Sequence, residues 1–146
     1  MSLGWFAPAE PGTFDVKNFP IWEHGSHYGF PVLPDFPGFK VAKHWRGDPT
    51  EPDKIDRKPN AADEKLVRDY LGKHLPSANG TILAFKICMY THGDPWLGPL
   101  PGENRVSFIA ACNGGGFKFA SAYGEALADL AIAGKTELPI RFMGPG

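Results

Sequence analysis

Apolar residues fall at helical spacing in two stretches of the chain. Leu66, Val67, Tyr70, Leu71 and Leu75 form one stripe of the kind that lays a helix face against a core. Asn60 stands before it as an N-cap with Asp63 three residues on, the pattern in which two side chains satisfy orphan N–H groups reciprocally. Pro76 and the Asn79-Gly80 pair close that helix. The second stripe, Phe119, Ala122, Tyr123, Ala126, Leu127 and Leu130, predicts a helix from about Phe117 to Ala133. Gly134 is its stop, because glycine takes the left-handed conformation of a C′ residue without strain.

Elsewhere the period is two. Phe39–Trp45 reads as a strand, with Phe39, Val41 and Trp45 on one face and Lys40, Ala42 and His44 on the other. Thr81–Thr91 reads as another. Leu83, Phe85, Ile87 and Met89 share one face; Ile82, Ala84, Lys86, Cys88 and Tyr90 share the other. A face that sets Cys beside Tyr fits two readings, a border to a cavity or ligand and a half-exposed edge strand. Arg105–Ala111 is a further strand, followed by the turn Gly114-Gly115-Gly116. Before Pro37 the prolines at 8, 11, 20, 31, 34 and 37 disfavour helix. Short strands are expected there at Gly4–Ala7, Pro20–Glu23 and His27–Phe30.

Composition narrows the function classes. The chain has 15 Lys and Arg against 16 Asp and Glu, with no basic block, which argues against a phosphate-neutralising nucleic-acid surface. No apolar run approaches the ~18 residues that cross a bilayer, and the N-terminus lacks the pattern of a secretory signal. Two cysteines, Cys88 and Cys112, make no disulfide framework, so a reducing cytoplasm is the default location. His24 and His27 form His-x-x-His without an evident third ligand, and no metal is expected. Ser26 beside a histidine is no triad without geometry. The glycine turn before a helix is an arrangement that can face an anionic ligand, although a plain tight turn explains three glycines equally well.

Taken in order, several pieces resemble one family. Tyr28-Gly29-Phe30-Pro31, then Gly38-Phe39-Lys40-Val41-Ala42-Lys43-His44, then Cys88-Met89-Tyr90-Thr91 and Gly114-Gly115-Gly116-Phe117-Lys118-Phe119, closed by Gly124-Glu125, are similar to the C-terminal portion of the monomeric sarcosine oxidase and N-methyltryptophan oxidase family. The resemblance implies an α+β fold: a mostly antiparallel sheet from a substrate domain over residues 1–80. Residues 81–146 would return into an FAD-binding domain through its last strand, glycine turn and helix. It implies FAD-dependent oxidation of a secondary amine, an N-methyl amino acid such as sarcosine, by O2 to imine and hydrogen peroxide. Cys88 matches the covalent flavin anchor, a position that suits a nucleophilic thiolate. Tyr90 and His44 match active-site residues, and Lys40 matches a lysine that promotes reoxidation by O2, where a cation favours the negative charge that develops. Lys118 matches a lysine that binds the substrate carboxylate near the flavin. Gly114 and Gly116 match the turn that brings a helix N-terminus to the flavin.

Departures bear on these expectations. The family's Gly-His-Gly turn has Gly115 at its centre here, and the run after Thr91, Asp94-Pro95-Trp96-Leu97-Gly98-Pro99-Leu100-Pro101, lacks the family's Asp-x-His-Pro end. No G-x-G-x-x-G fingerprint for a dinucleotide pyrophosphate is present, because the third glycine position after Gly114 and Gly116 holds Phe119. The expectation is therefore a chain without the N-terminal FAD-binding half. That half would come from a separate polypeptide, or the cut sheet edges would drive self-association. A flavin-free remnant serving as a binding or interaction module is the alternative to an enzyme.

Overall fold

The computed structural model describes residues 1–10, 12–44, 47–110 and 112–144. They form an α+β chain with mostly antiparallel sheets and two α-helices. It falls into two compact units, Met1–Met89 and Tyr90–Gly146.

The first unit is a five-stranded antiparallel sheet with one helix on it. Its strands are β1 (Ser2–Phe6), β2 (Trp22–His24), β3 (His27–Phe30), β4 (Phe39–Lys43) and β5 (Ile82–Ile87), in the spatial order β2-β3-β4-β1-β5. Helix α1 (Ala61–His74) covers one face. The register sets Phe6 opposite Phe39 and Gly4 opposite Val41, so these side chains share the helix-facing side. Phe6, Phe39, Val41, Val67 and Leu71 are fully buried there, with Phe14, Phe19, Trp22 and Phe85 packed around them.

The expected cap of α1 is present. Asn60 Oδ1 accepts from the N–H groups of Ala62 at 2.9 Å and Asp63 at 3.1 Å, and Asp63 Oδ2 accepts from Asn60 N–H at 3.0 Å. Asp63 also accepts from the Ser2 hydroxyl at 3.0 Å, so one carboxylate ends the helix and ties it to β1. Val67 and Leu71 of the expected stripe are buried, and Tyr70 and Leu75 pack against them. Arg68 reaches the Asn79 side chain at 2.7 Å and lies over the Phe6 ring.

Strands β5 and β4 are shorter than expected. The strand read over Thr81–Thr91 is limited to Ile82–Ile87, because a strand extends only as far as its partner and β5 pairs with β1 alone. One more pair continues the ladder: Met1 N donates to Cys88 O at 2.8 Å and Cys88 N to Met1 O at 2.9 Å. Met89, Tyr90 and Thr91 lie outside it. β5 is the outermost strand, with Lys86 exposed and Ile82, Ala84 and Cys88 half-buried on the face that carries them, which matches the edge-strand reading. Its pairing with β1 makes it part of the first unit, whereas the sequence division starts a new domain at residue 81. The strand expected to reach Trp45 ends at Lys43. Trp45 itself, like Pro11 and Ala111, lies outside the described residues.

The second unit holds a hairpin of β6 (Trp96–Leu100) and β7 (Glu103–Ala110), then helix α2 (Ala120–Ala133). β6 was not expected from the sequence, because Gly98 and Pro99 break its pattern. Leu97, Ala126 and Met143 form a buried hydrophobic cluster in the second unit, with Tyr123, Leu127 and Leu130 packed on them. Phe119, placed on the stripe, is 47% exposed instead, because it precedes α2 in a 3-10 turn, Phe117–Phe119. Gly134, at φ 68°, ends α2 as expected.

Two glycine substitutions should act in opposite directions. A Cβ at Gly80 would lie 1.9 Å from the Ala7 carbonyl oxygen, a backbone atom that cannot swing away. Gly80→Ala should destabilise the first unit by about 1–3 kcal/mol or more. Gly72, exposed on α1, has only the Asn79 amide at 3.7 Å near such a Cβ, so Gly72→Ala should stabilise it by about 0.5–1 kcal/mol. Urea unfolding of the two variants checks both signs.

Candidate functional site

The sheet of the first unit has a second face, away from α1. Alternation and register assign Trp5, Tyr28, Phe30 and Lys40 to it: Trp5 stands opposite Lys40 across β1 and β4, and Phe30 stands opposite Lys40 across β3 and β4. On the α1-facing side Gly29 lets β3 close on β4, since a Cβ there would meet the Lys40 carbonyl oxygen at 2.0 Å and the Trp22 ring at 2.7 Å.

Lys40 rises among aromatic rings. Its Nζ is 4.7 Å from the Phe30 ring centroid, 5.5 Å from Trp5 and 5.7 Å from Tyr28, within reach of cation–π attraction. No carboxylate pairs with it among the described ion pairs. Burial, which penalises the ammonium, holds its pKa below the usual lysine value; the Cys88 thiol is the group that pulls the other way. Cys88 is a free, half-buried cysteine. Its pairing with Met1 puts it in phase with Lys86, Leu3 and Trp5, so thiol and ammonium belong to the same face.

His44 follows β4, and its N–H continues the ladder by donating to the Ser26 carbonyl at 2.7 Å. Its ring stacks on Tyr28 with centroids 4.3 Å apart and planes 23° apart. The Tyr28 hydroxyl reaches the Met1 sulfur at 3.7 Å. Tyr28 therefore joins His44 to the Lys40–Cys88 face. Its position in Tyr-Gly-Phe-Pro gave no sign of this, because the stack depends on which strands pair. Beside Lys40 opens an apolar recess of about 230 Å³ lined by Trp5, Phe30, Pro31, Leu33, Phe36 and Gly38.

Tyr90 lies beyond the end of β5. Strand parity cannot relate it to Cys88 once β5 stops at Ile87 and Tyr90 falls in the second unit. There Tyr90 lies on the glycine turn. A Cβ at Gly114, which has φ +74°, would come within 2.6 Å of the Tyr90 ring, and one at Gly116 within 2.5 Å of the Cys112 Cβ. Asn113 N–H donates to the Thr91 hydroxyl at 2.8 Å. The Gly114 and Gly116 positions are thus set by close approach, whereas the nearest atom to a Cβ at Gly115 is 3.8 Å away. Lys118 sits exposed in the 3-10 turn with Nζ 5.5 Å from the Phe119 ring. Among the described residues no group of three or more His, Cys, Asp and Glu could hold a metal ion, and no helix is long and apolar enough to cross a membrane.

No family model matches the chain. It is 39% identical over 144 residues to monomeric sarcosine oxidase of Bacillus sp. (strain NS-129), a match that covers 92% of this chain and 37% of that protein. It is 34% identical over 146 residues to N-methyl-L-tryptophan oxidase of Salmonella typhi, again covering 92% of this chain and 37% of the relative. In fold it is similar to NikD, an unusual amino acid oxidase essential for nikkomycin biosynthesis, in its open form. The TM-score is 0.74 at 20% identity, over 99% of this chain and 41% of that one. The resemblance read from the ordered motifs therefore holds over most of the chain, and the chain spans less than half the length of the relatives it matches.

The glycine turn allows a paired test. Gly114→Ala should cost the second unit about 1–3 kcal/mol, from the positive φ and the displaced Tyr90 ring. Gly115→Ala should change stability by less than about 0.5 kcal/mol. Denaturant midpoints that move equally would contradict this account of the turn.

Proposed function

We propose that this chain, similar over most of its length to monomeric sarcosine oxidases and N-methyltryptophan oxidases, is part of an FAD-dependent amine oxidase with Cys88 as covalent flavin tether. The observation that carries the reading is the free thiol of Cys88 on the same sheet face as Lys40, a half-buried ammonium among aromatic rings. Those residues fit a group that is electrophilic when oxidised and anionic when reduced. When bound, flavin supplies two-electron oxidation of the carbon beside a secondary amine and passes the electrons to O2.

Each residue then has a defined task. Cys88 supplies the sulfur of a thioether, the thiolate being its reactive form. Lys40 holds positive charge where negative charge develops as O2 is reduced, an arrangement that needs no reorganisation during the reaction. His44, oriented by its stack on Tyr28, borders the same face. Tyr90 and Lys118 bind the substrate, an N-alkyl amino acid, and Lys118 offers a point charge to its carboxylate. Gly114 and Gly116 keep the turn free of side chains beside them. The dinucleotide cradle would come from a further FAD-binding part, on the same or another polypeptide. A cytoplasmic location accords with the two free cysteines.

Two measurements test the reading. The protein produced together with its FAD-binding part should keep yellow colour and flavin fluorescence on the denatured polypeptide, and Cys88→Ala should lose both. A protein that never carries flavin under those conditions is a binding module and not an oxidase. Lys40→Met should slow reoxidation of the reduced flavin by O2 by about 10²-fold or more while leaving reduction by substrate nearly unchanged, read by stopped-flow absorbance.

A further inference from the structure

On the opposite face of the sheet three histidines gather around one tyrosine. The His27 ring stacks on Tyr70 with centroids 4.0 Å apart and planes 17° apart. Tyr70 is also 4.7 Å from the His74 ring and 5.6 Å from Trp22, with which it is nearly parallel. His24 lies 5.0 Å from His74, and its Nδ1 is 3.0 Å from the Tyr70 hydroxyl. His24 and His27 belong to the β2–β3 hairpin, Tyr70 and His74 to helix α1. His27 is only 8% exposed, and its Nε2 is buried without a hydrogen-bond partner.

We propose that this His24–His27–Tyr70–His74 cluster is an acid-released fastening between the β2–β3 hairpin and helix α1. It acts as a positioning device for Tyr28, the next residue of β3, whose ring points to the opposite face and stacks on His44.

The charges around the cluster make neutral rings the fastened state. His27 feels Lys43 from β4, His74 from α1 and His24 from β2, all of which oppose its protonation, as does burial, the largest effect; only the Leu66 carbonyl favours it. His74 is opposed by desolvation, by Lys73 and by His24. Burial likewise keeps the Tyr70 phenol protonated. Among the described ion pairs no carboxylate enters the cluster to compensate. Glu23, on the other face of β2, lies 3.9 Å from His44, and Asp69 of α1 is held by Lys65 at 2.6 Å. Both histidines whose protonation is disfavoured therefore sit below the ordinary value near 6.5 in the fastened state. The fastening is fully present above pH 6.5 and is lost as the pH falls below it, because the open hairpin takes up protons that the closed one refuses. Each such histidine adds up to about tenfold per pH unit to the opening equilibrium.

That the release would disturb a flavin face rests on the function proposed above; the release itself does not, and its test needs no flavin. Amide hydrogen exchange is measured on the full chain at pH 7.5 and 5.5, as protection factors corrected for intrinsic rates. The amides of β2 and β3 should lose more protection than those of β1, by up to about tenfold per histidine for each pH unit below 6.5. His27→Phe, which keeps a stacking ring and cannot titrate, should remove most of that difference. If His27→Phe fails to fold, the double variant His24→Gln, His74→Gln at two exposed positions decides in its place, and should diminish the response. Parallel loss of protection in β1, β2 and β3, or an undiminished response in whichever variant folds, overturns the proposal.

Discussion

The first unit depends on one dry contact, the packing of Phe6, Phe39 and Val41 of the sheet against Val67 and Leu71 of helix α1. Each of these side chains is fully buried, and burying such a side chain is worth about 1.5–3 kcal/mol relative to leaving it in water. Because β1 and β4 spend one face on this contact, alternation commits their other face to a different use. Lys40 and Trp5 stand on that other face for no reason of their own. They are the odd members of a pattern whose even members make the core. The Asp63 carboxylate, shared between the helix cap and the Ser2 hydroxyl, fixes how the helix sits while that core forms.

Glycine serves both units in a similar manner. Gly29 lets β3 and β4 close around the Trp22 ring, and Gly80 lets the chain pass under the Ala7 carbonyl. Gly114 and Gly116 admit Tyr90 and Cys112 to the turn before α2. In each case what excludes a side chain is an atom of the protein itself, and this is the same closeness that a motif of glycines advertises for a ligand. The turn in the second unit is accounted for by its own packing, and any approach of a cofactor would be an additional use of it.

Much of this was legible in the sequence where the signal is local. The Asn60–Asp63 cap, the α1 stripe, the Gly134 stop and the phase shared by Lys40 and His44 are all set by residues within a few positions of each other. Features that need a distant partner were not legible. Strand β5 ends where β1 ceases to pair with it, which alternation over residues 81–91 cannot register. Gly98 and Pro99 hid β6, although the strand forms as half of a hairpin. Tyr28 and His74 gave no signal because their neighbours come from other strands and from a helix some fifty residues along the chain. The ordered motifs identified the relatives correctly, since order along a chain is what a sequence records most directly.

Strand β5 carries a consequence for how copies of this chain meet. Its outer edge has no strand paired to it among the described residues, the condition under which a sheet can recruit a like edge from another molecule. Lys86, exposed one residue before the end of that strand, changes the outcome. A second β5 laid antiparallel along the full strand would set each Lys86 opposite the Leu83 of its neighbour, so that a charged residue faces an apolar one across the new seam. The charge thus works as a guard on the open edge, and it would restrain the edge-to-edge pairing that an unpaired strand otherwise invites.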